Sequence, residues 1–247
     1  MYHLVEDLPT SMAVPPDRFA EQMEFLEGGP YSVITEQDLH DLVRRRAPLP
    51  AKAVLITFDD GYANTVSTAL PLLERHGLPA LMAVCGGYLT SDLPRRVPHP
   101  VDAFADIEQI GRWADSGRSL AAHSYTHPRL TAASDLALAW QTAGDREVLT
   151  ELLGHEPRTF VYPYGAHDAR VRSAVARLYP LALATDEHQA PDSDRPYALS
   201  RIQVDPGWTL EAFRAALEAG TDPCAAQLAA RRVVLGTREG NTDDGAS

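Results

Sequence analysis

The sequence predicts an α/β fold in which parallel strands close into a barrel, and three observations support this prediction. Short apolar runs alternate with amphipathic stretches about seven times along the chain. Polar motifs follow directly after several of the apolar runs, and 247 residues are enough for a single strand–helix barrel. Right-handed crossovers through the helices would make the strands parallel. An open doubly wound sheet remains an alternative, because the alternation does not show whether the sheet closes.

The first half of the chain contains two predicted strands and two predicted helices. Residues 53–57 form a short β-rich apolar run that stops at a glycine turn, which predicts a strand. Residues 64–75 place apolar side chains on one face and are followed by glycine and proline, which predicts a helix. The unbroken apolar run 80–84 predicts a strand that is buried on both faces. Residues 107–115 predict a second helix that ends near Gly117.

The second half continues the alternation. A strand is predicted over 119–122, and the longest helical pattern, over 135–153, ends at Gly154. The remaining predicted elements are strands over 159–162, 181–184 and 199–204 and helices over 169–178 and 210–217.

No internal repeat or linker divides the chain, so we expect one domain over residues 1–235. The small, polar and acidic composition of 236–247 predicts a disordered tail. We expect the proline-rich stretch 91–100 to be an ordered surface loop and the polar stretch 188–196 to be mobile.

The amino-acid composition argues against several classes of binding partner and site. The 22 Lys and Arg against 34 Asp and Glu give a formal net charge of −12, which argues against binding a nucleic-acid backbone or an anionic membrane. Two cysteines, Cys85 and Cys224, are too few for a disulfide framework or a cysteine-built zinc site. No signal-peptide pattern or long apolar stretch is visible, so a cytoplasmic protein is expected if Met1 is the natural start.

Two polar motifs carry candidate chemistry. Asp59 and Asp60 follow one predicted strand, and His123 and His127 follow another. One helical turn would bring the two imidazoles onto the same face, where they could bind a divalent metal together with a carboxylate and leave a position for water. Adjacent carboxylates on an extended backbone point in opposite directions, so one could bind the metal while the other acts as a base.

Each motif alone has a simpler interpretation. An Asp-Asp-Gly sequence is often only a turn in which aspartate caps its own backbone. Two histidines four positions apart are often a coincidence of surface or core composition. Because both motifs directly follow predicted strands, we interpret them together as one site.

The chain resembles the polysaccharide deacetylase family, also called the NodB-homology or carbohydrate esterase family 4 domain. Residues 57–61 (Thr-Phe-Asp-Asp-Gly) resemble its first motif, 123–127 its second and 160–165 its third. The stretches near His3 and Arg201 are similar to the subgroup that deacetylates poly-β-1,6-N-acetylglucosamine. The resemblance covers about residues 1 to 217 and implies a distorted (β/α)7 barrel.

The resemblance also implies roles for individual residues. Asp59 would be the general base, Asp60, His123 and His127 would bind the metal, and the backbone N–H of Tyr164 would stabilise the oxyanion. Family members use zinc and sometimes other divalent metals, and these ligands would equally suit cobalt, nickel or iron. We further predict that the substrate contacts four residues, Tyr125, Pro163, Gly165 and Arg201.

The sequence departs from the family pattern at two points. Val161 stands where the third motif usually has an arginine that pairs with the base. Arg201 could supply that charge from another strand, or could be a surface or structural arginine. The family's late histidine, which protonates the leaving amine, has no recognisable counterpart. Either Asp59 returns the proton itself, or His3, at the end of the predicted first strand, serves as the catalytic acid.

The sequence therefore predicts a metal-dependent hydrolase that removes N-acetyl groups from an amino sugar, in a polymer, an oligomer or a sugar-bearing metabolite. One alternative is an amidohydrolase of the same fold that acts on a non-sugar amide. Another is a metal-bound carbohydrate-binding module without catalysis. The presence of Asp59 argues against the last alternative, because ligand binding alone does not require a base.

Overall fold

A curled sheet of six parallel strands forms the centre of the protein in a computed structural model, which describes residues 1–44, 48–50, 52–90, 103–185 and 196–219. Ten short strands are present in the described residues: β1 (Leu4–Val5), β2 (Ala13–Val14), β3 (Ser32–Val33), β4 (Ala53–Val54), β5 (Thr57–Phe58), β6 (Leu81–Val84), β7 (Ser119–Ala122), β8 (Thr159–Val161), β9 (Leu181–Ala184) and β10 (Leu199–Ser200). The central sheet has the order β10-β9-β8-β7-β6-β5, and all of its pairs are parallel. Two small parallel pairs, β1-β2 and β3-β4, lie outside it.

Helices lie between the successive strands β5 to β9 of the central sheet. Nine helices are described: α1 (Pro16–Gly28), α2 (Glu36–Val43), α3 (Leu70–Arg75, preceded by a π-turn over Thr65–Ala69), α4 (Gly86–Thr90), α5 (Ile107–Asp115), α6 (Asp135–Ala139, continued by a π-turn over Trp140–Gly144), α7 (Asp145–Leu153), α8 (Ala169–Ala176) and α9 (Leu210–Glu218). Two 3₁₀ turns occur at Leu130–Ala132 and Pro163–Gly165. Side chains cap several helix starts; for example, Asp106 and Gln109 form a capping box on α5.

The first two residues bridge the two edges of the central sheet. The N–H of Tyr2 donates to Thr57 O at 2.8 Å, and the N–H of Asp59 donates to Tyr2 O at 2.9 Å. On the other side, Met1 N donates to Ile202 O at 2.8 Å, and the N–H of Val204 donates to Met1 O at 3.0 Å. This is the pattern of a parallel strand pair on each side. The predicted distorted (β/α)7 barrel is therefore confirmed, and the open sheet is excluded.

Alternating side chains of the strands separate two apolar layers. Met82, Val84, Phe160 and Ala182 face outward and pack with the surrounding helices in the larger core cluster. The intervening residues face the inside of the barrel and form a second cluster of Leu81, Ala83, Ala121, Val161, Leu181, Leu183 and Leu199. Leu39 and Val43 of α2 pack against this inner cluster. The period-two alternation of the strands thus builds both layers from the same short segments.

The structure differs from the predicted elements at three places. Residues 53–57 are not one strand, since β4 pairs with β3 and only β5 joins the central sheet. The strand predicted over 199–204 is regular only at Leu199–Ser200. The helix predicted over 135–153 is interrupted by a π-turn, where the Thr142 hydroxyl donates to the carbonyl of Leu138 at 2.9 Å.

The predictions for 91–100, for nearly all of 188–196 and for the tail 236–247 concern segments outside the described residues. Among the residues that are described, no helix is long and apolar enough to cross a membrane.

Candidate active site

The carboxyl ends of the central strands meet at one end of the barrel and surround a cleft of about 1010 Å³. Asp59 and Asp60 follow β5, His123 follows β7, and Tyr164 and Gly165 follow β8. His3, His127 and Arg129 also line this cleft. The two polar motifs and the third motif, which are distant in sequence, are therefore brought together by the parallel order of the strands.

Asp60, His123 and His127 form a compact cluster of possible metal ligands. The Oδ1 atom of Asp60 lies 3.3 Å from His123 Nε2 and 3.1 Å from His127 Nε2. One ligand atom from each residue lies within 4.8 Å of the others. Oδ1 of Asp60 is buried and accepts no hydrogen bond of good geometry from the described residues. A buried carboxylate oxygen without a donor, facing two imidazole nitrogens, fits a divalent cation.

The ring orientation of His123 is set by the neighbouring strand. Its Nδ1 lies 2.7 Å from the carbonyl oxygen of Val161. Because a carbonyl can only accept, Nδ1 must carry the proton, and in the neutral ring Nε2 keeps its lone pair for a metal. Val161 thus supports the cluster through its backbone, although its side chain replaces the arginine of the family motif.

The two histidines are not on a helix, which corrects the expectation of a helical turn. Residues 123–129 form a loop in which Ser124 and His127 have positive φ angles of 66° and 56°. The N–H of His127 donates to the Ser124 hydroxyl at 3.1 Å. The loop conformation, rather than helical periodicity, brings the two imidazole rings to 4.7 Å between centroids.

Strained backbone is concentrated at this end of the barrel. Five non-glycine residues in the described part of the chain have positive φ, and four of them belong to the strand-end motifs: Asp60, Ser124, His127 and Tyr164. Such conformations cost about 1–3 kcal/mol each and persist only where the surrounding structure holds them. Their clustering indicates that the ligand geometry is imposed by the fold.

Asp59 is buried and forms a bidentate ion pair with Arg201. Nη1 and Nη2 of Arg201 lie 2.7 and 2.8 Å from the two carboxylate oxygens, and Nη1 also donates to the Thr57 hydroxyl at 3.1 Å. Nε of Arg201 donates to the carbonyl of Ala184 at 3.2 Å. Arg201 is therefore not a surface residue and does not line the cleft, and it supplies beside Asp59 the charge that the resemblance assigns to an arginine of the third motif.

Burial and neighbouring charges shift the pKa values of Asp59 and Asp60 in opposite directions. Burial alone would raise the pKa of Asp59, but the charge and hydrogen bonds of Arg201 outweigh it and lower the pKa to about 2. Burial would also raise the pKa of Asp60, but the two neighbouring imidazoles hold it well below its usual value. Both carboxylates are therefore ionised at neutral pH.

The same two carboxylates, Asp59 and Asp60, accompany opposite pKa shifts in His123 and His3. Burial would lower the pKa of His123, but the charges of Asp60 and Asp59 raise it. His3 also faces these acids, yet burial prevails and lowers its pKa, so its imidazole is neutral near pH 7.

The third motif forms part of the wall of the cleft. Tyr164 has a φ of 59° and is 55% exposed, and its ring lies edge-on to His127 with 4.6 Å between centroids. A Cβ atom at Gly165 would lie 1.9 Å from the Thr185 hydroxyl, so only glycine fits at that position. The backbone of Tyr164 is thereby held close to the metal-ligand cluster.

Of the four residues predicted to contact the substrate, only Gly165 is among the described residues that line the cleft. Gly165 lines the cleft, whereas Pro163 is buried and does not line it. Tyr125 is half-buried and packs edge-on to Trp140, with 5.2 Å between ring centroids. Tyr125, Pro163 and Arg201 are not among the described residues that line the cleft, and their contact with substrate stays a prediction.

Sequence reasoning missed Asp145, which is fully buried behind the metal-ligand loop. Its Oδ1 accepts the N–H of Gly86 at 2.7 Å, whereas its buried Oδ2 accepts no hydrogen bond from the described residues. Burial raises the pKa of Asp145 to about 7. A signal for it exists in the sequence, because Leu138, Asp145 and Leu149 lie on one helical stripe and a single acid in an apolar stripe is unusual.

Comparison with known proteins agrees with this geometry. The family model described as Polysaccharide deacetylase matches residues 46–179, more than half of the chain. YxkH of Bacillus subtilis, itself assigned as a polysaccharide deacetylase, is 25% identical over 88% of this chain and 75% of its own length.

An enzyme and a solved structure extend the comparison. The poly-β-1,6-N-acetyl-D-glucosamine N-deacetylase of Escherichia coli K12 is 30% identical over 45% of this chain, which spans only 17% of the enzyme's length. The Streptococcus pyogenes deacetylase PplD, solved in complex with acetate, superposes with a TM-score of 0.76 at 21% identity, over 90% of this chain and 95% of PplD. The family match over most of the barrel, together with the strand-end motifs it contains, establishes that this chain belongs to the polysaccharide deacetylase family.

Proposed function

We propose that this protein is a metal-dependent hydrolase that removes the N-acetyl group from an amino sugar. One observation carries the proposal: an Asp-His-His cluster fit for a divalent cation lies beside a second, ionised carboxylate that is not part of the cluster. A cation-binding cluster alone would be sufficient for a protein that only binds a ligand. The additional carboxylate provides the proton acceptor that hydrolysis needs.

Asp60, His123 and His127 would hold the metal, with zinc as the expected ion. A bound divalent cation supplies a Lewis acid that polarises the acetyl carbonyl and acidifies water. The ring of His123 is oriented for this role by its contact with the Val161 carbonyl, and the backbone of His127 is held by its hydrogen bond to the Ser124 hydroxyl. A partner of a ligating ring, such as the Val161 carbonyl, typically contributes about 10–100-fold to metal affinity.

Asp59 would accept the proton of the attacking water. Arg201 keeps this carboxylate ionised and fixes both of its oxygens. A carboxylate with so low a pKa holds a proton only briefly, which suits a group that passes it on to the leaving amine. The water oxygen forms a bond to the acetyl carbon, the carbon–nitrogen bond breaks, and the sugar amine leaves with the proton.

Tyr164 and His3 would complete the site. The backbone N–H of Tyr164 would donate to the oxyanion, an interaction whose loss typically costs about 2.7–4 kcal/mol of barrier. His3 lines the same cleft and is neutral near pH 7, so it could relay the proton from Asp59 to the amine. Direct return of the proton by Asp59 is the competing route.

The substrate class follows from the cleft and the family. The cleft has room for a sugar, and the Escherichia coli relative is named for a substrate built from N-acetylglucosamine. We therefore propose an N-acetylglucosamine-type sugar as the substrate.

The first test separates catalysis from metal binding. Asp59→Asn should lower kcat for release of acetate from N-acetylglucosamine oligomers by about 10²–10⁴-fold, while zinc content stays near one per chain. His123→Ala should instead remove the zinc, as measured by elemental analysis of the purified protein.

The controls identify the role of each residue. His3→Gln should lower kcat without changing zinc content, and full activity would assign the proton return to Asp59. Loss of zinc in Asp59→Asn would mean that the two aspartates have exchanged roles. Unchanged turnover in Asp59→Asn would overturn the proposed reaction.

A further inference from the structure

Arg129 is a cation at the mouth of the cleft whose role the proposed reaction does not explain. It follows His127 by two residues, lines the cleft and is exposed. Its guanidinium makes no hydrogen bond or ion pair with the residues that the structure describes. It contacts the ring of Tyr164, with 5.0 Å from its central carbon to the ring centroid.

Among the residues that the structure describes, none provides a counterion for Arg129. The described lining residues include three formal charges, on Asp59, Asp60 and Arg129. Arg201 neutralises Asp59 from behind, and Asp60 faces the two imidazoles. Among the charged side chains that line the described cleft, Arg129 is thus the one whose charge no other side chain balances. Such a group attracts anions toward the site.

The aromatic contacts fix where an anion would bind. The His127 ring contacts the Tyr164 ring, and the Tyr164 ring contacts Arg129, so the three side chains form a continuous row from the metal-ligand cluster to solvent. A cation stacked on an aromatic ring is held in place while its N–H edges stay available. An anionic group next to the reacting N-acetyl sugar would therefore meet the guanidinium.

We propose that Arg129 selects N-acetyl sugars that carry an anionic oxygen group, a carboxylate or a phosphate, beside the acetamide. A guanidinium binds either group through two parallel N–H bonds, which a neutral sugar hydroxyl cannot match. This inference rests on the proposed deacetylase function and narrows its substrate class.

The experiment compares three substrates with the metal-loaded enzyme. They are a neutral N-acetylglucosamine tetramer, a peptidoglycan-derived tetrasaccharide whose alternate sugars carry lactyl carboxylates, and N-acetylglucosamine 1-phosphate. The wild-type kcat/KM should be at least about tenfold higher for one or both anionic substrates. Arg129→Ala should lower that value about tenfold, mainly through KM, and lower the value for the neutral tetramer less than about threefold. The preference should decline at 0.5 M NaCl.

A matched variant controls for net charge. Arg177→Ala removes one cation from the exposed end of α8, outside the described lining of the cleft, and should leave all three kcat/KM values unchanged. A wild type without preference for either anionic sugar would overturn the inference. The inference would also be overturned if Arg129→Ala lowered kcat/KM by the same factor for all three substrates. That result would mean that Arg129 only holds Tyr164 in place.

Failure of the proposed reaction would give a different result. If none of the three sugars releases acetate, the deacetylase proposal fails, and calorimetric titration of the same sugars then decides the role of Arg129. Tighter binding of the anionic sugars that is lost in Arg129→Ala would support the anion site, and equal binding would overturn it.

Discussion

At the residue scale, the ion pair between Asp59 and Arg201 shows how the positive charge beside a buried carboxylate can come from a different segment when a motif residue changes. The side chain of Val161 lies inside the barrel, and its backbone carbonyl orients His123. Arg201 approaches Asp59 from the segment after β10, at the seam that residues 1–2 close. The charge of Asp59 is therefore balanced by a residue about 40 positions further along the chain than the third motif of the family would place it.

This pair leads to a prediction about stability. Arg201→Met should lower the free energy of unfolding by about 3–5 kcal/mol, because it leaves the buried Asp59 charge without a partner. The double variant Arg201→Met, Asp59→Asn should recover much of that loss, since the unpaired charge is then removed. Urea unfolding of the four proteins of this double-mutant cycle measures both effects. Additive losses would show that the pair is not coupled.

At the element scale, α2 carries a polar network on the inner side of the fold. The Thr159 hydroxyl donates to Glu36 Oε1 at 2.5 Å, and His40 Nε2 lies 3.0 Å from the Thr159 hydroxyl oxygen. His40 is buried, and its Nε2 is 3.5 Å from the same Glu36 oxygen. The network connects α2 to the first residue of β8, beside the contacts of Leu39 and Val43 with the inner cluster.

The network makes the stability of the fold dependent on pH. Burial alone would raise the pKa of Glu36, but hydrogen bonds from His40 and Thr159 lower it below its usual value. The folded state therefore favours ionised Glu36, and this contribution is present above the ordinary carboxyl pKa and is lost as the pH falls through the folded-state pKa. Glu36→Gln should cost about 1–3 kcal/mol at pH 7 and progressively less toward pH 3, as measured by urea unfolding.

An exposed acid on a neighbouring helix provides the control. Glu24→Gln on α1 should change the free energy of unfolding by less than about 0.5 kcal/mol at either pH. A difference between wild type and Glu36→Gln that stays constant with pH would contradict the role of the ionised carboxylate.

At the scale of the whole molecule, closure of the barrel depends on residues 1–2, which bridge the two edges of the central sheet. Tyr2 is buried, stacks with Phe58 at 5.5 Å between ring centroids and meets Phe19 edge-on at 5.2 Å. Its hydroxyl donates to the buried Gln22 Oε1 at 2.8 Å. The same residue pairs through its backbone with the strand that leads to Asp59.

Variants at this residue separate packing from hydrogen bonding. Tyr2→Ala should cost about 3–5 kcal/mol through the cavity it leaves in the core. Tyr2→Phe keeps the rings but leaves Gln22 without its donor, and should cost about 1–3 kcal/mol. Leu136→Ala, at a side chain that is 84% exposed, should change stability by less than about 0.5 kcal/mol. Equal losses for Tyr2→Phe and Tyr2→Ala would contradict the packing role of the rings.

The sequence predicts some parts of this molecule better than others, for physical reasons. The proximity of Asp60, His123 and His127 is predictable, because the carboxyl ends of parallel strands must share one end of the sheet. The partner of Asp59 is not predictable in this way, because Arg201 reaches Asp59 only across the closed seam of the barrel. The periodicity of the sequence carries no information about whether the sheet closes. The loop at His123 likewise escapes prediction, since left-handed backbone at Ser124 and His127 contradicts their local preferences.

The left-handed conformations at Asp60, Ser124, His127 and Tyr164 also bear on how this protein could be engineered. Selection for heat resistance alone would reward glycine at these positions, because glycine adopts such angles without penalty. At Asp60 and His127, glycine would remove a side chain that we propose to bind the metal, and at Ser124 it would remove the hydroxyl that accepts the His127 N–H. Substitutions that raise thermal stability at these four positions should therefore lower catalytic turnover. Stabilising substitutions should be chosen at other positions of the barrel.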